Sequence, residues 1–163
     1  MADAAPHIVL CWPGKTSAEY ARIGIEEYVA RIKRFRRCRR VVVSEEPSGK
    51  RYTTEHRLER QEKAILDRLV AFEPYFLILL DPRGKALDSR KFATLLQRQC
   101  YDDGRTLAFV VGGPDGVSPG LRGRADLLLG LSPMTLPHDL ARLFLAEQIY
   151  RGFTIIHGLP YSR

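Results

Sequence analysis

Five short apolar runs, at residues 8–11, 41–43, 76–80, 107–111 and 127–131, recur along the chain, and amphipathic stretches fill most of the gaps between them. Each run is too short for a core helix and several are rich in β-branched residues, so they read as strands. The first gap carries Thr16 and Glu19, a capping-box pair, ahead of an apolar stripe of Ile25, Tyr28, Val29, Ile32 and Phe35. Leu58, Ile65, Leu69 and Phe72 mark a second helix, and Phe92, Leu95, Leu96 and Cys100 a third. Strands that alternate with helices are joined by crossovers of one hand. The order therefore predicts an α/β fold, a mainly parallel sheet with helices on both faces. At 163 residues, one domain spanning 1–163 accounts for the whole chain, with no internal repeat or linker.

A last helix, around residues 140–153, departs from the simple stripe. Leu140, Leu143 and Phe144 lie on one side, while Leu145, Ile149 and Phe153 carry the apolar surface further round. Such a helix is buried on more than one face, either against a second copy in a two-fold dimer or as the central core helix of a monomer. A membrane is excluded as its partner, because the longest purely aliphatic or aromatic run has six residues and a spanning helix needs about 20. No basic region precedes an apolar stretch at the N-terminus, so the expected location is the cytoplasm. Cys11, Cys38 and Cys100 are odd in number and far apart, which predicts reduced core thiols rather than disulfides or a zinc site.

Charge is concentrated in one place. Residues 31–40 hold seven basic side chains, Arg31, Lys33, Arg34, Arg36, Arg37, Arg39 and Arg40, and no acid; outside them 19 basic residues balance 19 acidic ones. A cluster of this kind attracts a polyanion by counterion release, and the arginine fork suits phosphate, so RNA or DNA is the expected partner. The alternative is a solvated helix end whose basic residues offset the helix dipole.

In an open parallel sheet, ligands bind beyond the carboxyl ends of the strands. The segments there are rich in Gly and Pro: Trp12-Pro13-Gly14-Lys15, Asp81-Pro82-Arg83-Gly84-Lys85, Gly112-Gly113-Pro114-Asp115-Gly116 and the stretch 131–138. They read either as tight turns or as a site built from backbone, which glycine lets a ligand approach closely. No GxGxxG follows a strand and no GxxxxGK[ST] is present, so a dinucleotide fold and a P-loop are both unsupported. HExxH and paired metal-ligand spacings are missing too, leaving zinc chemistry without residues. Ser118-Pro119 reads as a helix cap and first helical residue, not as a nucleophile.

Taken in order, Phe109-Val110-Val111-Gly112-Gly113-Pro114-Asp115-Gly116, then Leu131-Ser132-Pro133-Met134-Thr135-Leu136-Pro137-His138 with Arg142, then Glu147-Gln148-Ile149-Tyr150-Arg151, and Pro160-Tyr161 near the end resemble the RlmH family. These are small bacterial methyltransferases of the α/β-knot (SPOUT) superfamily that modify large-subunit ribosomal RNA, and the resemblance runs from about His7 to Arg163. It implies a C-terminal trefoil knot of the SPOUT type and a homodimer. It also implies S-adenosylmethionine as methyl donor without a metal, and N3 of a pseudouridine in 23S rRNA within the ribosome as acceptor. Carried over by motif, the cofactor contacts are Leu80, Gly112, Leu131, Ser132, Pro133, Met134, Thr135 and Leu136. The basic residues at 31–40 become the grip on ribosomal RNA.

Methyl transfer mainly requires alignment and exclusion of water, but the imide N3 must also lose its proton. Candidates for that step are His138, Arg142, Tyr161 and Arg163. Each has a structural alternative: His138 bonded to backbone, Arg142 holding a carboxylate, Tyr161 anchoring the tail. The chain departs from the family at its end, Tyr161-Ser162-Arg163, where Tyr-His and a basic residue are usual. We expect activity to survive this change, with Ser162 keeping one hydrogen bond. Two other readings remain at this point, a noncatalytic ribosome-binding or assembly factor and a methyltransferase of transfer RNA.

Overall fold

The structure, a computed structural model, describes residues 7–45, 47, 49 and 51–161. All five expected strands form: β1 (His7–Pro13), β2 (Arg37–Val43), β3 (Tyr75–Ala86), β4 (Thr106–Val110) and β5 (Leu127–Gly130). They make one sheet in the order β2-β1-β4-β3-β5 with every pairing parallel. Alternate residues of each strand enter opposite cores. Ile8, Leu10 and Trp12 of β1 face one side with Phe109, while Val9 and Cys11 face the other with Ala108 and Val110. Burial on both faces is why these strands read as near-continuous apolar runs.

The helices are α1 (Glu19–Ile32), α2 (Thr54–Leu69), α3 (Ser89–Gln97), α4 (Pro119–Arg124) and α5 (His138–Ile156). The first core is closed by α1, α3 and α5, and the second by α2 and α4, through residues such as Ile25, Phe92 and Ile149 against Ile65 and Leu121. Ser118 caps α4 by accepting from the Leu121 amide at 3.0 Å, and Pro119 opens the helix, as the sequence suggested. The capping box at Thr16 and Glu19 does not form. Ala18 stands at the N-cap of α1, and the Asp139 carboxylate, from α5, accepts from the amides of Ser17 at 3.0 Å and Ala18 at 2.8 Å instead. A carboxylate offers a stronger charge-assisted acceptor than a threonine hydroxyl, and it wins the helix terminus.

The unusual spread of apolar residues on α5 has an explanation within one copy. The helix packs between α1 and α3. Both contacts are close, since a Cβ on Gly24 would lie 2.6 Å from Leu143 Cδ1 and one on Gly152 would lie 2.5 Å from Leu96 Cδ1. At the other end of the sheet, β5 pairs with β3 twice, before and after a break between Leu80 and Lys85. The intervening segment presses on β5 so closely that a Cβ on Gly84 would sit 2.6 Å from the Leu128 carbonyl carbon. No helix among the described residues is long and apolar enough to cross a membrane.

Candidate cofactor and methyl-transfer site

Because the sheet is wholly parallel, the loops after β3, β4 and β5 converge on one edge. A cavity of about 380 Å³ opens there, a size within the range of small-molecule sites. Leu80, Val111, Leu129, Leu131 and Leu136 give it apolar walls, and Gly112 and Gly113 expose peptide groups to it. The glycines are needed locally. A Cβ on Gly112 would meet the Gly116 carbonyl oxygen at 2.8 Å, and Gly116 itself has φ +82°, a conformation that L side chains rarely adopt.

Six of the eight expected cofactor positions line this cavity: Leu80, Gly112, Leu131, Ser132, Met134 and Leu136. Pro133 and Thr135 are absent from its lining and exposed, on the outer side of the turn that Ser132 closes by accepting from the Met134 amide at 3.0 Å. Sequence reasoning had the loop of Asp81 but missed Asp81 and Arg122 as site residues. Asp81 is buried at the break within β3 that follows Leu80, where its Oδ1 accepts from the Arg83 amide at 2.8 Å. Its Oδ2 lies 2.8 Å from Arg122 Nε, an ion pair without hydrogen-bond alignment, so that oxygen retains accepting capacity. Burial opposes the charge on Asp81, but the Arg83 amide and the two guanidinium groups outweigh it and hold the carboxyl below its ordinary value.

The four candidates for proton transfer are not gathered at one point. His138 lines the cavity as the first residue of α5, with Nε2 3.6 Å from Asp139 Oδ1. Arg142 is 1% exposed and turns away, donating to Pro13 O at 2.7 Å, Thr16 Oγ1 at 3.2 Å and Asp139 Oδ1 at 3.3 Å, with its guanidinium carbon 5.1 Å from the Trp12 ring centre. Burial lowers its pKa, and Asp139 and Glu45 oppose that shift. Tyr161 donates to Glu147 Oε1 at 3.0 Å and meets the Tyr28 hydroxyl at 3.1 Å, about 13 Å along α5 from His138. Burial raises its pKa, and those two hydrogen bonds add to the rise. Arg163 and Ser162 lie outside the described residues.

The basic run sits at the opposite edge of the sheet, around the end of α1 and the start of β2, where β2 is an edge strand. Lys33, Arg34, Arg37, Arg39 and Arg40 are exposed. Arg31 pairs with Glu27 and lies 5.5 Å from the Tyr28 and Tyr150 ring centres, and Arg36 covers the Tyr101 ring at 3.8 Å. Among the described residues no three of His, Cys, Asp and Glu come together as a metal-holding group.

The chemistry of the cavity suits S-adenosylmethionine. Apolar walls and peptide groups can enclose an adenine, and the Arg122 guanidinium, held beside the buried Asp81, can donate to a carboxylate. A sequence model described as a predicted SPOUT methyltransferase matches residues 7–162. The fold agrees with solved structures of a probable methylase family protein from Haemophilus influenzae and the TrmH/SpoU tRNA modifying enzyme of A. aeolicus. The TM-scores are 0.56 and 0.52 at 13% and 16% identity, covering 100% and 98% of this chain and 72% and 80% of those. Fold and site together define a SPOUT methyltransferase with the knot fold of that class. Ribosomal RNA large subunit methyltransferase H of Syntrophobacter fumaroxidans is 42% identical over 96% of this chain and 99% of its own. The chain belongs to the ribosomal RNA large subunit methyltransferase H family.

Proposed function

We propose that this chain, acting as a single α/β-knot domain, methylates N3 of one pseudouridine in 23S ribosomal RNA on assembled ribosomes. Membership in the family makes it an S-adenosylmethionine-dependent ribosomal RNA methyltransferase. The observation that carries the finer reading is the cavity at the ends of β3, β4 and β5, which takes in six positions of the cofactor motif and has His138 on its lining. Leu80, Gly112, Leu131, Ser132, Met134 and Leu136 hold the donor, and Pro133 and Thr135 shape the loop from its outer side.

When bound, S-adenosylmethionine supplies an electrophilic methyl group on a positively charged sulfur. Leu80, Leu129, Leu131 and Leu136 keep water from that end of the cavity. His138 takes the imide proton at Nδ1, and Asp139 Oδ1, 3.6 Å from its Nε2, stabilises the imidazolium that results. Arg142 acts as a positioning residue, because its donors fix the first turn of α5, on which His138 stands.

Arg31, Lys33, Arg34, Arg36, Arg37, Arg39 and Arg40 grip the RNA across a homodimer. In support, α1 leaves Tyr20 and Ile23 exposed within a turn of Gly24, where it meets α5, and on α5 Leu140 and Phe144 are only half-buried. A two-fold pairing on this face brings the end of α5 of one subunit, with Tyr161, toward the cavity of the other. The protein works in the cytoplasm, where its ribosomal substrate is.

The test is to incubate the protein with labelled S-adenosylmethionine and ribosomes lacking the modification, with free rRNA and tRNA in parallel, and to locate the methyl group by mass spectrometry. A single 23S pseudouridine methylated in ribosomes supports the reading. Transfer to tRNA, or to no RNA, overturns it. Replacing Arg37, Arg39 and Arg40 by alanine should weaken ribosome binding and flatten its salt dependence without altering cofactor affinity.

A further inference from the structure

The wall of the cavity formed by residues 112–117 is thin. On its far side lies a second cavity of about 370 Å³, lined by Glu45, Arg57, Gln61, Pro114 and Asp115 among others. Pro114 lines both spaces, so the turn is a partition. Pro13 supports it at Gly113, where a Cβ would lie 3.1 Å from Pro13 Cγ, and polar contacts from α2 hold the rest. Gln61, 8% exposed, donates from Nε2 to Gly116 O at 3.1 Å, and its Oε1 lies 3.4 Å from the place a Cβ on Gly113 would occupy. Arg57 donates from Nε and Nη2 to Asp115 Oδ2 at 3.2 and 3.1 Å and is itself tied to Tyr52 O at 2.9 Å. The side chains sit one helical turn apart on α2, so a single face of that helix reaches both arms of the turn. Neither residue lines the first cavity.

We propose that Gln61 and Arg57 are positioning residues for the cofactor, holding the Gly112–Gly116 turn at the distance from Leu80 and Leu131 that S-adenosylmethionine requires. The proposal rests on reading the first cavity as the cofactor site. Without the clamp, the turn is free to relax into the space behind it, and the binding-competent conformation is then only part of the population. Affinity for the cofactor falls by that fraction while the methyl-transfer step, made after binding, is largely kept.

The experiment compares the full-length wild type with Gln61→Leu, Gln61→Glu and Arg57→Ala, and with Lys63→Ala on α2, whose side chain pairs with Asp67 in solvent, as control. S-adenosylhomocysteine binding by calorimetry, amide hydrogen exchange over residues 112–117, KM and kcat on ribosomes, and Tm are measured for each. Gln61→Leu and Arg57→Ala should raise Kd about tenfold, as loss of one buried hydrogen bond allows, and speed exchange in the turn, with kcat at saturating cofactor within about threefold of wild type. Gln61→Glu should be at least as damaging, because it presents an acceptor to the Gly116 carbonyl. Lys63→Ala should match wild type in all four. The proposal is overturned if both clamp variants bind within about twofold of wild type, or if apparent kcat and Tm fall together with KM unchanged, as they would for general unfolding. If S-adenosylhomocysteine binds the wild type without protecting the amides of 112–117, the reading of the cavity itself fails; if it protects them and the variants bind normally, only the clamp fails.

Discussion

Replacing Asp139 by alanine should cost about 4 kcal/mol of folding stability. The carboxylate does three things at once. It accepts from the Ser17 and Ala18 amides at the start of α1, and it balances the buried Arg142 guanidinium at 3.3 Å. Each amide bond to a charged acceptor is worth about 1.5 kcal/mol, and a buried cation left without its partner costs about 3 kcal/mol. One carboxylate serves all three, so the losses overlap rather than add in full. Trp12 is the sole tryptophan, 1% exposed and under the Arg142 guanidinium, so its fluorescence reports urea unfolding of this very cluster. The single variant should lower the midpoint with no change in m. The double variant Asp139→Ala with Arg142→Met should be more stable than Asp139→Ala alone, because it removes the charge that the single variant strands. Measured at one protein concentration, a loss below about 1 kcal/mol, or a double variant less stable than the single, would refute the account of a buried cation held by one carboxylate.

Three further outcomes are expected. Gly112→Ala should abolish measurable S-adenosylhomocysteine binding by calorimetry while the protein stays folded, since its Cβ would meet both Gly116 O at 2.8 Å and Val117 Cγ1 at 2.9 Å and push the turn out of place. Cys11, Cys38 and Cys100, whose pKa values burial pushes up to about 12, should resist a thiol-specific reagent at pH 8 in the native protein and all react in denaturant. Restoring histidine at position 162 should raise the methylation rate by less than about a hundredfold, because His138 rather than the tail is taken as the base; a larger rise assigns that role to the tail.

The inner strands were legible because they are buried on both faces and so print short apolar runs, and the site loops were legible because close backbone approach demands Gly and Pro. What escaped is what depends on distant contacts. Nothing around Thr16 indicates that Asp139, more than 120 residues later, takes over the cap of α1. Asp81 and Arg122 carry no local signal either, since the ion pair is made where β3 and α4 meet. The helix α5 shows the converse: its wide apolar surface was seen correctly, but the pattern is the same whether the covering helices come from the same copy or another. Here α1 and α3 of the same chain cover most of it.

The basic run teaches a different lesson, because clustering in sequence says nothing of how far the cluster lies from the chemistry. In space it lies where α5 ends, with His157 stacked on Phe35 at 4.9 Å and bonded to Tyr101 at 2.8 Å, while His138 at the start of the same helix faces the cavity. Nineteen residues of helix separate the two, about 28 Å, close to the width of the domain. A nucleotide in the cavity and a phosphate on Arg37 or Arg39 of the same subunit are therefore far apart along the RNA. Two copies paired in opposite directions along α5 remove the difficulty, since each cavity then lies beside the basic end of its neighbour. On this reasoning a heterodimer of one His138→Ala subunit with one subunit lacking Arg37, Arg39 and Arg40 has one site in which both defects fall together and one in which neither does. Such a mixture should keep about half the wild-type activity at low salt, whereas grip and chemistry in the same subunit would leave every site with one defect.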